Sequence, residues 1–176
     1  MIGEFLFDTT LDTERFVDDY LRAHYGEDFK AAKSYLDRLS DIFDYDTVNM
    51  QKSIVAEDTG STDNAAKPSG VYGNAELSER LATVPAVVAS IADTVAKNLA
   101  SPDKCHAESW RLLTYHGEYV RRLAEILVAL TENDRQRARE LHAALIDYLS
   151  RVECEIHPYF DLVLFNQRIG QIIADK

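Results

Sequence analysis

The sequence predicts an all-α protein: an antiparallel bundle of three long helices plus a shorter C-terminal helix, preceded by an N-terminal helical hairpin. Three observations carry that expectation. Apolar residues recur at steps of three and four along most of the chain, which stacks them on single helix faces. Capping residues stand where those rows begin. Short polar turns separate the rows, and such turns make consecutive helices antiparallel neighbours.

The N-terminal hairpin comes first. Asp12 or Thr13 is placed to cap a helix carrying Phe16, Val17, Tyr20 and Leu21, and Gly26 stands where a left-handed C-terminal residue belongs. A second helix carries Phe29, Ala32, Leu36, Leu39 and Phe43. Residues 1–45 read as a unit of their own. Residues 46–73 are rich in Ser, Thr, Asp, Asn and Gly and read as a loop or linker, with Lys52 to Val55 briefly extended.

The bundle is expected over 74–176. Leu77, Leu81, Val84, Val88, Ile91, Val95 and Leu99 line one face of a single helix capped by Asn74 and bent at Pro85. A break at Ser101-Pro102-Asp103 follows, with the serine as cap and the proline at the first helical position. The next row is Leu112, His116, Tyr119, Leu123, Ile126 and Leu130, widened by Leu113, Val120 and Leu127. Asn133, with Gln136 three residues on, has the spacing of a capping box for the third row, which is Ala138, Leu141, Leu145, Tyr148, Val152 and Ile156. Beyond Pro158, the apolar residues Phe160, Val163, Leu164, Ile169, Ile172 and Ile173 supply the short closing helix.

Composition narrows the function classes. The chain has 176 residues, of which 46% are hydrophobic and 28% charged, the proportions of an ordinary globular domain. A net charge of −11 repels phosphate backbones and anionic membranes, so no nucleic-acid or membrane partner is expected. No stretch approaches the roughly 20 apolar residues of a membrane span. Cys105 and Cys154 are spaced for neither a disulfide framework nor a metal site, and read as two small buried hydrophobes.

The most chemical stretch is RVECEIHPYFD, which gathers Glu153, Glu155, His157, Tyr159 and Asp161 near a helix end. Carboxylates beside an imidazole suit proton transfer or metal binding, and Glu153 and His157 share a face if the helix persists. A histidine in a last helical turn is also favoured by the dipole alone. His106, His116 and His142 lack the Glu-x-x-His pattern of di-metal bundles, and His116, inside an apolar row, reads as a buried histidine with one hydrogen-bond partner. Tyr72, Trp110 and Tyr115 are the aromatic residues best placed to offer exposed faces to a sugar. No cofactor motif is present.

Two stretches carry a resemblance. FLFDTTLDTERFVDDYLRAHYGEDFKAAKSYLDRL, Phe5 to Leu39, resembles the segment that closes the catalytic barrel in certain bacterial glycoside hydrolases related to the α-glucuronidases and β-hexosaminidases. The matching residues are Phe7-Asp8, Leu11-Asp12, Phe16 to Leu21 and His24-Tyr25-Gly26, with a histidine where the pattern has an aromatic. Tyr119 to Phe165 is similar to the helical C-terminal region of the same group. The resemblance implies catalytic carboxylates on barrel strands upstream of Met1, so no catalytic residue carries over to this chain. It implies an auxiliary C-terminal domain that packs on the barrel of the same polypeptide and lends a wall to a carbohydrate cleft, with Phe5-Leu6-Phe7 as a stub that promotes self-association. Two other readings stand beside it: a free-standing helical interaction module, and a metal-dependent centre at Glu153, His157 and Asp161.

Overall fold

The computed structural model describes residues 12–43 and 71–159, together with 169, 170 and 173. Among the described residues every regular element is helical, so the chain is all-α. Helices α1 (Thr13–Tyr25) and α2 (Phe29–Ile42) flank a 3₁₀ turn at Gly26–Asp28. After them come α3 (Ala75–Leu81), α4 (Val84–Ser90), α5 (Ala92–Asn98), α6 (Lys104–Thr131) and α7 (Arg135–Ile156).

The organising element is α6, 28 residues and therefore about 42 Å long. Helices α1, α3, α4, α5 and α7 all pack against it. Its second half is consequently apolar over most of its girth, with Arg121, Arg122 and Glu125 confined to one strip: Tyr119, Val120, Leu123, Ala124, Ile126, Leu127, Ala129 and Leu130 are buried. A helix surrounded on several sides needs such a sequence, whereas α7, covered on one side, keeps a single stripe of Ala138, Leu145, Leu149 and Ile156.

The long helix expected from Asn74 to Leu99 is three short ones. Pro85 lies in the first turn of α4 and has no N–H to continue the ladder from α3. A second break falls at Ile91, whose N–H reaches Val88 O at 3.4 Å, one residue short of the α-helical partner, while the Ser90 hydroxyl donates to Val87 O at 2.7 Å. Each break shifts the phase of the apolar row. Val87 is buried in place of the expected Val88, which is half-buried, and Leu99 is 45% exposed.

The caps follow local chemistry, with two corrections. Asp12 accepts from Arg15 N and Asn74 from Leu77 N, as their positions predict. At α6 the cap is Asp103 rather than Ser101: its carboxylate accepts from the N–H groups of Cys105 and His106, and Ser101 Oγ accepts from Asp103 N instead. At α7 the cap is Asp134, accepting from Arg137 N, and Asn133 takes the left-handed conformation at φ 60°. Asn133 N bonds to Leu130 O and Asp134 N to Ala129 O, a Schellman ending to α6 that leaves Asn133 no capping role for α7. The Gln136 side chain turns to Glu140 at 2.7 Å.

Ala32, Tyr35 and Leu39 of α2 belong to the same apolar core as α3 to α7. Val71 is buried beside them, and Gly73 N donates to Thr131 O, satisfying a carbonyl that the end of α6 leaves open. Ile169 and Ile173 are buried, and 169, 170 and 173 are helical, where the short closing helix is expected. The rest of that segment, and 46–70 of the expected linker, lie outside the described residues. Both cysteines are exposed instead of buried, because Cys105 falls in the first turn of α6 and Cys154 on the outer face of α7.

Candidate functional site

Two polar constellations sit on the first half of α6. The first joins it to the end of α7. Arg111 lies one turn after Glu108 and grips it with two parallel bonds, Nε to Oε2 at 2.8 Å and Nη2 to Oε1 at 2.7 Å. The remaining arm of the guanidinium, Nη1, donates to Glu155 Oε2 at 2.6 Å and to the Tyr115 hydroxyl at 3.1 Å. Tyr115 in turn donates to Glu155 Oε2, and Tyr159 donates to Glu108 Oε1 at 3.3 Å.

The electrostatics follow from that wiring. The Arg111 guanidinium holds the Glu108 carboxyl below the usual carboxylate range, and Glu108 raises Arg111 in return. Bonding to Glu155 raises the Tyr115 phenol, which stays a protonated donor. A proton-transfer pair needs one group poised near the working pH. Here the first carboxylate is held ionised by an arginine and the phenol is held protonated, so the cluster fastens two helices together.

The residues singled out in the sequence divide accordingly. His157 N bonds to Glu153 O at 2.8 Å, so the helical turn that puts these two on one face does persist, and both side chains are exposed. Tyr159 is 58% exposed. Asp161 lies outside the described residues. Among the described residues no group of three or more His, Cys, Asp or Glu is placed to hold a metal ion.

Of the three residues expected to offer faces to a sugar, Trp110 is buried and Tyr72 and Tyr115 are half-buried. Trp110 is fully buried, its ring edge-on to Tyr25 at 5.1 Å, because α1 covers that side of α6. Tyr72 is half-buried with the Arg135 guanidinium 5.0 Å from its ring centre. Tyr115 is half-buried and carries Arg111 at 5.3 Å in addition to its bond to Glu155.

The second constellation joins α6 to the elbow between α1 and α2. Trp110 Nε1 donates to Tyr25 O at 3.0 Å. Gly26 has φ 67°, and a Cβ there would meet His106 Nδ1 at 3.0 Å, so both backbone and neighbour demand glycine. Asp28 accepts from Lys97 Nζ and Asn98 Nδ2, each at 2.7 Å, and those bonds hold its carboxyl below the usual range. Deeper along the same face, the Tyr35 hydroxyl is 3.0 Å from His116 Nδ1, the one partner expected for that histidine. The elbow's role is missed by sequence reading except at Gly26, whose position announces a left-handed turn.

An open cleft of about 350 Å³ runs along α1 and α2. Asp18 and Asp37 face Lys33 and Arg38 across it, and Lys33 is already paired with Asp18 at 2.6 Å, so it presents no single-sign field to a ligand. These features define the class of protein as an all-α domain whose polar clusters fasten its own helices. No family model, curated protein or solved structure matches the chain.

Proposed function

We propose that this chain works as a non-catalytic helical domain, the C-terminal packing module of a larger carbohydrate-active enzyme of the glycoside hydrolase group its sequence resembles. The observation that carries the non-catalytic reading is the Arg111 network. Its carboxylates, Glu108 on α6 and Glu155 on α7, are engaged by Arg111 and by Tyr159 and Tyr115 respectively instead of converging on a cleft. The carbohydrate assignment rests on the patterns at Phe5 to Leu39 and Tyr119 to Phe165, and the partner it names is a catalytic barrel encoded upstream.

The test has two arms. Purified chain incubated with a panel of aryl-glycosides is expected to release no aglycone, and turnover that tracks the protein through purification overturns the non-catalytic reading. The reading frame ahead of Met1 is expected to continue into alternating strand and helix patterns. A frame that stops there favours a free-standing helical interaction module instead.

A further inference from the structure

We infer that His116 is a proton-sensitive latch: neutral, it holds α2 against α6, and on acidification it loosens α2 while the α6–α7 core stays packed. The geometry is that of a single hydrogen bond spanning two elements far apart in sequence. In the neutral ring carrying its proton on Nε2, Nδ1 accepts from the Tyr35 hydroxyl at 3.0 Å, and the two rings meet edge-on with centres 5.7 Å apart. Protonation at Nδ1 reverses the bond. The phenol oxygen must then accept, and its own proton needs another partner.

The surroundings leave little room for that exchange. A Cβ on Gly117 would meet Val88 Cγ1 at 3.1 Å and the Tyr35 hydroxyl at 3.6 Å, so α2, α4 and α6 are in close contact at this point. Nor, among the described residues, is a charge paired with His116 to balance an imidazolium. Tyr35 faces it from α2, with Tyr25 of α1 near that phenol, and α4 contains no titratable residue. On α6 the residues one turn away are Leu112, Leu113, Tyr119 and Val120. The charged residues of α2, Lys30, Lys33, Asp37, Arg38 and Asp41, line the outer cleft. Among the described residues no carboxylate pairs with His116, whereas His106 has Asp103 at 4.0 Å. His116 is half-buried, and an imidazolium held there without a counter-charge loses part of its hydration with nothing to replace it.

The direction follows from linkage. Burial lowers His116 from its ordinary 6.5, so between that value and the folded one the unfolded or undocked chain binds the proton first. The latch therefore contributes fully above pH 6.5 and is lost as the pH falls through the folded value. Asp28 and Asp103, the carboxylates at the elbow, are lowered from 3.8 and remain ionised throughout this range.

Amide hydrogen exchange at pH 7.5 and 5.0, corrected for intrinsic rates, tests the latch. Exchange in Phe29–Ile42 is expected to accelerate severalfold at the lower pH, with Leu123–Leu130 much less affected. In His116→Gln the pH dependence in Phe29–Ile42 should vanish, whatever its baseline. Equal acceleration of both segments, or the same pH dependence in the variant, overturns the inference. Should the variant not fold, NMR titration of the wild-type His116 ring decides: a midpoint below 6.5 that coincides with the α2 exchange change supports the latch, and any other result overturns it.

Discussion

The two halves of α6 are built on opposite terms. From Tyr119 onward the helix has a dry inner face: eight apolar side chains from Tyr119 to Leu130 are buried, and the polar Thr131 satisfies its hydroxyl on Val128 O within its own helix. The charged Arg121, Arg122 and Glu125 form ion pairs along one outer strip, where Arg122 also lies over the Tyr148 ring of α7. From Lys104 to Gly117 the same helix is held by named polar contacts, Trp110 to Tyr25, His116 to Tyr35 and Arg111 to Glu155. Apolar burial contributes about 1.5–3 kcal/mol per large side chain and is indifferent to direction. A hydrogen bond contributes about 1 kcal/mol net and prescribes the partner atom. The dry half therefore sets how stable the domain is, and the polar half sets which elements dock on it and in what register.

Substitutions in the two halves should separate these roles. The largest effect is expected from Ile126→Ala in the dry half, since the residue is fully buried: a loss of about 2–5 kcal/mol in urea unfolding, with the whole domain destabilised together. Trp110→Phe keeps most of the ring but leaves Tyr25 O without its donor, so a smaller loss of about 1–3 kcal/mol is expected. Its amide-exchange signature should concentrate in α1 and the elbow. A global response as uniform as that of Ile126→Ala would erase the contrast.

Gly117→Ala comes next. Alanine favours the helix by up to about 1 kcal/mol, but its methyl meets Val88 at 3.1 Å. We expect a net loss of about 1 kcal/mol that the double variant with Val88→Ala recovers in part, measured by thermal melting. The smallest effect belongs to Arg111→Gln: its partners are substantially solvent-exposed, so the loss should be about 1 kcal/mol or less and should shrink in high salt. A larger, salt-independent loss would show that the network behaves as a buried one.

Much of the local order was legible because its causes are local. Asp12 and Asn74 read as caps and act as caps. Leu77, Leu81, Val84, Ile91 and Val95 read as one buried face and are buried, although the breaks at Pro85 and Ile91 exchange Val88 for Val87 and turn Leu99 outward. The same reasoning failed at Trp110, whose ring is exposed or hidden according to where α1 lies, and at Cys105, which the first turn of α6 leaves in the open. The Glu153–His157 register could be read from spacing. That Arg111 would bind Glu155 across 44 positions could not.

By itself, then, the sequence determined the helical class, most of the apolar faces and several of the chain's turning points, because these arise from residues three or four apart interacting with their own backbone. Only the tertiary structure decided that α6 is the hub, that α2 shares its core, and that Glu155, two residues from His157, binds Arg111. Those outcomes depend on which distant surface covers which, and burial, charge pairing and the state of a histidine are properties of that covering.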